Sequence, residues 1–295
     1  MATCERPDIS VIIPAYNAHG TIAACLQSLQ IQRSSAAIEV LVVDSSSDGT
    51  AELVAARFPE VRLLRHSSRL YPGDARNRGV AAARADLIAF IDADCSVSEG
   101  WARALLEAHR SPWQMVGGAV ENGSPASPIA WAYYFCEFNL WLPARAPRAI
   151  AEMATLCLSV KRQMFDRYGP FIEDTYCSDT VFHWKTSRDG HRVLFVPDIR
   201  VYHHVNGTLA WLLGHIFAHR RSFARVSWRE KRLSFAGRAL RMLLLPFLPC
   251  LLMAATLLRL RRCPSYLPRF LAVSPLVLLG FAARALGEGV GYIKP

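Results

Sequence analysis

"LIAFIDADCS", residues Leu87–Ser96, joins a run of five apolar residues to two carboxylates separated by one residue. A short continuous apolar run reads as a strand covered on both faces, the kind found in parallel sheets. Asp92 and Asp94 at its exit have no place in a core, because a carboxylate removed from water needs a partner. The strand end is therefore where chemistry is expected.

Outward from it, similar runs occur at ISVII (9–13), IEVLVV (38–43), VRLLR (61–65) and MVGGAV (115–120). Between them lie helix-like segments at about Thr21 to Gln30, Gly49 to Phe58 behind Ser47 and Asp48, Asp74 to Arg84, and Ser98 to Arg110 with Ser98 as cap. This alternation predicts an α/β fold, a mostly parallel sheet flanked by helices. Ligands in such folds bind beyond the carboxyl ends of the strands. Those ends carry Pro14-Ala15-Tyr16-Asn17, Asp44-Ser45-Ser46-Ser47-Asp48 and Asp92-Ala93-Asp94, so three polar clusters fall on one rim.

Adjacent carboxylates raise each other's pKa unless a cation relieves them. A hard divalent ion that also takes phosphate oxygens, Mg²⁺ or Mn²⁺, suits Asp92 and Asp94. Asp44 is placed to bond a nucleobase or ribose, and Arg76, Asn77 and Arg78 open a helix that can meet a diphosphate. Each has a plain alternative: Asp94 as a helix cap, Asp44 as a turn residue, the arginines as a solvated face. Their company favours a nucleotide site.

The 295-residue chain is 52% hydrophobic with a net charge of +10, and the mean hydropathy is +0.16. Eight cysteines without a C-x-x-C pair indicate neither a zinc knuckle nor a disulfide framework, and a reducing compartment is expected. The N-terminal MATCERPDIS has no apolar stretch of the secretory kind.

Residues 122–147 begin with Gly, Ser and Pro and continue into the aromatic WAYYFCEFNLWLP, which reads as an insertion or lid and a candidate acceptor groove. From about Thr208 a basic, aromatic helical stretch leads into two uncharged runs, Met242 to Leu258 and Leu271 to Ala283, each bracketed by arginines. A helical span needs about 20 apolar residues with a lower limit near 17, so the first run just qualifies and the second falls short. The connecting RLRRCPSYLPR is strongly basic and opposes translocation, which favours a re-entrant or in-plane hairpin over two spans, with Pro246, Pro249 and Pro275 as kinks. Core helices of a second soluble domain are the alternative. The expected domains are 1–207 catalytic, 208–241 interfacial and 242–295 an apolar hairpin, transmembrane or re-entrant.

The ordered motifs VIIPAYN, EVLVVDSSSDGT, GDARNRG, FIDADCS and CSDTVFHWKTSRDGHRVLFVPDIRVYHH resemble the inverting family 2 glycosyltransferases of GT-A fold over residues 8 to 205. The resemblance implies metal-dependent transfer of a glycosyl group from a nucleotide-diphosphate sugar to an acceptor hydroxyl, lipid-linked or glycan, in cell-envelope glycan or glycolipid synthesis. The expected location is the cytoplasmic face of a membrane, a bacterial inner membrane. Carried over by position, Asp44 holds the base or ribose beside Pro14 and Tyr16, Asp92 lies near ribose and metal, and Asp94 ligates the metal. Asp179 is the implied general base, and His203 or His204 a third ligand. Ser178 stands where the family has an acidic residue before Asp179, which leaves Asp174 as a second choice of base. DSSSDGT lacks the acidic residue that often follows the first, so base selectivity is open.

A nucleotidyltransferase would want a Gly-rich basic loop after the first strand, which PAYNAHG does not supply. A catalytically silent nucleotide-binding membrane adaptor is the other alternative. A dinucleotide oxidoreductase lacks its G-x-G-x-x-G, and the basic stretch leads into apolar runs, which fits lipid better than nucleic acid.

Overall fold

A computed structural model describes residues 6–143 and 146–293. Cys4 and the start of the N-terminal stretch read above, with Ala144 and Arg145 of the insertion, lie outside the described residues. The chain divides into two compact units, Met1–Glu121 with Arg145–His204, and Asn122–Ala144 with Val205–Pro295.

The first unit is built on a sheet of nine strands among the described residues. They are β1 (Ile9–Ala15), β2 (Ile38–Asp44), β3 (Arg62–Arg65), β4 (Leu87–Phe90), β5 (Cys95–Val97), β6 (Met115–Asn122), β7 (Arg148–Ile150), β8 (Leu158–Lys161) and β9 (Val193–His203). Their order is β3-β2-β1-β4-β8-β6-β9-β5, with β7 on β9. Helices α1 (Ile22–Gln32), α2 (Thr50–Arg57), α3 (Pro72–Ala82), α4 (Trp101–His109), α6 (Arg162–Tyr168) and α7 (Ser178–Arg188) belong to this unit, and α5 (Pro128–Glu137) falls in the insertion.

β1, β2, β3 and β4 pair in parallel, with Ala15 opposite Asp44 and Ile12 opposite Phe90. Every residue of β2 is buried, as a strand covered on both faces requires. Glu39, its second residue, is satisfied by Ser10 Oγ at 2.5 Å, by Arg62 and by the Arg84 guanidinium, each of these two at 2.9 Å. The expected mostly parallel sheet is parallel only in this half. β8 runs antiparallel to β4 and β6, and β9 antiparallel to β5 and β7, a direction set by pairing between strands far apart in the chain, which no local run of residues records.

Two expected caps differ. Ser98 does not cap α4, whose N-cap is Gly100 at φ 71°. The residues just after Asp94 form β5 instead, and Ser98 N–H donates to the Arg200 carbonyl. A three-residue strand carries too little periodicity to be read from sequence. α2 likewise starts behind Gly49 at φ 86°, while Asp48 accepts from the N–H groups of His19 and Thr50 and ties two loops together.

The second unit holds α5, α8 (Leu209–Lys231), α9 (Phe235–Leu244), α10 (Leu248–Leu260) and α11 (Leu267–Ile293). Most of the insertion's aromatic rings are core: Tyr133, Tyr134, Phe135 and Phe138 are buried, and Phe135 meets Phe270 edge-on at 5.2 Å between centroids. The second apolar run, too short for a span as read, lies in a 27-residue helix. That helix continues through Pro275 and past Arg284, which pairs with Glu288 at 3.1 Å. Phe235–Leu260 and Pro264–Ile293 are both long and apolar enough to cross a membrane.

Candidate active site

β9 fixes the centre of the site. Its burial alternates strictly from Val193 to His203, so His203 shares the inner face with Ile199 and Val201 while His204 points the other way. Antiparallel pairing sets Cys95 opposite His203. This brings His203 Nε2 to 3.5 Å from Asp94 Oδ2, and the Asp94 carbonyl accepts from His204 N–H at 2.8 Å. His204 Nε2 is engaged with Ser96 Oγ at 2.8 Å. Of the two histidines, His203 is the one beside the D-x-D carboxylate.

Ligand atoms of Asp94, His203 and Cys95 all lie within 4.8 Å of one another. A carboxylate and an imidazole together suit Mn²⁺. The thiol does not join them as a hard-ion ligand, since burial first and then the Asp94 and Asp92 charges push its pKa well up. The residues present therefore fit a divalent cation held by Asp94 and His203.

Asp92 accepts from the Arg76 guanidinium at 2.5 Å, and the Arg76 side chain is only 5% exposed. Burial pushes the Asp92 carboxyl up, Arg76 opposes the shift and Asp94 adds to it. Arg76 Nε is buried with no hydrogen-bond partner, a donor left over at the rim. Arg76 and Asn77 do not open their helix, which begins at Pro72 behind Tyr71. Asn77, expected beside the diphosphate, donates its amide to the Phe171 carbonyl and accepts from Phe171 N–H, both at 2.9 Å, so it clips a loop.

Asp44 ends β2, buried, with one carboxylate oxygen bonded to Ser46 Oγ at 2.6 Å. It lines a cavity of about 630 Å³ with Ser46, Ser47, Arg65 and His66. Pro14 is half-buried in β1, and Tyr16 just beyond it is exposed beneath the Arg69 guanidinium, 4.5 Å from its ring centroid.

Asp179 sits in the first turn of α7, half-buried. One carboxylate oxygen accepts from Thr180 N–H at 2.8 Å and the other from Thr155 Oγ1 at 3.3 Å. Thr155 lies three residues before Leu158, which pairs with Phe90 at the end of β4. That register carries Thr155, and Asp179 with it, to the rim where Asp92 and Asp94 emerge. Asp174 is exposed at φ 57° with its N–H turned to Asp74.

The sequence reading missed Thr155 and Arg69. Arg69 also donates to Tyr176 Oη at 2.8 Å. Its position after β3 is itself a signal, since β3 ends on the same rim as β2. Thr155 carried no local signal, because its role depends on an antiparallel register.

The glycosyl transferase family 2 model matches residues 10–154. Glycosyltransferase AglE of Haloferax volcanii is 30% identical over 206 residues, 67% of each chain. Succinoglycan biosynthesis protein ExoO of Rhizobium meliloti is 40% identical over 103 residues, 34% of this chain but only 29% of its own length. In fold, the chain is similar to a mannosyltransferase from Pyrobaculum calidifontis solved in complex with GDP-Man and Mn²⁺, with a TM-score of 0.64 at 20% identity over 99% of this chain and 89% of that one. The order of motifs, the rim they share and the extent of the match to AglE lead to one assignment: the chain belongs to glycosyl transferase family 2, and it is a glycosyltransferase.

Proposed function

We propose that the enzyme transfers a sugar from a nucleotide-diphosphate donor with inversion and with a divalent cation, Mn²⁺ or Mg²⁺, to a hydroxyl of a lipid-linked or membrane-proximal acceptor. The observation that carries the reading is the Asp94–His203 pair at 3.5 Å, two residues beyond an Asp92 already bonded to Arg76. The base or ribose would sit against Asp44 and Tyr16. Asp94 and His203 would hold the divalent cation, which would supply positive charge to the diphosphate as it departs.

Asp179 orients and deprotonates the acceptor hydroxyl. The acceptor oxygen forms its bond to the anomeric carbon on the face opposite the diphosphate. The old carbon–oxygen bond breaks with its electron pair leaving on the nucleoside diphosphate, and the proton ends on Asp179. Thr155 and Thr180 N–H hold the carboxylate in place, a support that Asp174 lacks. Arg76 stabilises charge that develops on the leaving group. The apolar helices of the second unit support a membrane-associated site of action in cell-envelope glycan or glycolipid synthesis.

Calorimetric titration of the detergent-purified protein with UDP, GDP, CDP and dTDP, each with and without Mn²⁺, tests the reading. One nucleotide is expected to bind only with metal, and Asp94→Asn to abolish that dependence. Equal binding with and without metal would remove the cation from the proposal.

A further inference from the structure

Within the second unit, α11 lies along α8 at backbone distance. A Cβ on Gly287 would fall 2.4 Å from the Phe217 carbonyl oxygen, and one on Gly291 2.5 Å from that of Arg221. α10 folds back against α11: Leu245, in the turn before it, meets Gly289, and Arg241 of α9 donates to Tyr292 Oη at 3.1 Å. α11 thus packs against α8 and also against the α9–α10 segment.

α8 carries Arg220, Arg221, Arg225, Arg229 and Lys231. Arg220 bonds Glu137 of α5 at 2.8 Å, and His219 lies 3.5 Å from the same carboxylate. A buried set of charges, completed by Arg284–Glu288 on α11, marks α11 as the core helix of a polar-lined bundle. Sending α10 and α11 across hydrocarbon would take the charges of α8 with them, which the bilayer opposes. α9 has no buried residue and α10 only Thr256 and Leu260. Their outer face shows Leu243 at 70% exposure, Phe247 at 63% and Leu251 at 59%, and Leu286 of α11 extends it. Arginines stand at both ends, Arg238 and Arg241 at one and Arg261, Arg262 and Arg269 at the other.

We infer that α9 and α10 lie flat in one leaflet of an anionic membrane as a monotopic anchor held by α11, and that the loop 261–266 stays on the side of the membrane that carries the catalytic unit. Apolar side chains flanked by cations match the acyl and headgroup layers of a single leaflet. The inference rests on the membrane reading above and specifies its geometry.

The test uses the full chain in cells on a Cys250→Ser background, because Cys250 is exposed. Exposed Ser265 in the loop and exposed Ala56 in α2 are changed to cysteine in separate variants. A membrane-impermeant maleimide is applied to spheroplasts and to inverted membrane vesicles. Both cysteines are expected to label in the same preparation; labelling in opposite preparations means that the hairpin spans and overturns the inference. Recovery of the protein in the soluble fraction after lysis would instead overturn the membrane reading itself. In a second measurement, Leu243→Asp with Leu251→Asp is expected to lower flotation with phosphatidylglycerol-containing vesicles about tenfold, with nucleotide binding unchanged. Unchanged flotation would show that this face does not meet lipid.

Discussion

Asp94 and His203 are 109 positions apart in the chain, and they meet because β5 and β9 pair in a register that faces Cys95 to His203. His203→Ala is expected to weaken Mn²⁺-dependent nucleotide binding by about tenfold or more, whereas His204→Ala, which loses only a bond to Ser96, leaves it nearly unchanged. Titration of both variants against Mn²⁺ checks the pair. Asp179→Asn should lower kcat by about 10² to 10⁴ with nucleotide affinity intact, the mark of a lost general base. If Asp174→Asn produced that loss instead, the base would be reassigned. Thr155→Val keeps the shape and removes the hydroxyl bonded to Asp179, so a smaller fall in kcat without a change in donor KM is expected.

Among the elements, β2 shows how a strand with a buried carboxylate near its start can still be core. Burial alone would raise the pKa of Glu39, but the bonds from Ser10, Arg84 and Arg62 outweigh it and bring it down to about 2. An unfolded glutamate titrates near about 4.3, so the folded state binds the proton less readily. The resulting stability is complete above that value and is lost as pH falls through about 2. Glu39→Gln should flatten the acid limb of the stability curve between about pH 4.3 and 2 and cost on the order of 2 kcal/mol at neutral pH, read by denaturant unfolding. Asn77 belongs to the same scale: Asn77→Ala is expected to cost about 1 to 2 kcal/mol through the unclipped Phe171 loop, with donor KM unchanged.

For the whole molecule, the discontinuity of the second unit has a practical result. α5 enters from the middle of the chain and packs its aromatic residues with helices from the C-terminal end, as Phe135 does with Phe270. A chain ending at His204 would leave Tyr134 and Phe135 uncovered, and it is expected to aggregate on expression. Removing residues 122–144 as well, with a short linker, should restore solubility. Size-exclusion chromatography of the two truncations distinguishes them, and a soluble monomer from the first would show that α5 does not need its helical partners.

Local sequence determined the parallel half of the sheet and the rim residues, because a buried strand must be apolar along its length and a carboxylate at its end must leave it. ISVII, IEVLVV, VRLLR and LIAFI all appear as strands within a residue or two of their reading. Tertiary structure alone decided what depends on partners distant in sequence. The placing of His203 rather than His204 beside Asp94 follows from the β5–β9 register, the contact of Asp179 with Thr155 from the β4–β8 pairing, and the bonding of Asn77 to Phe171 from a loop folded over α3. The helical extent of α11 belongs with these: Arg284 ends an apolar run in sequence, but a carboxylate one turn on lets the helix carry it. Periodicity records which face a residue takes, whereas hydrogen-bond partners are chosen only when the strands and helices meet.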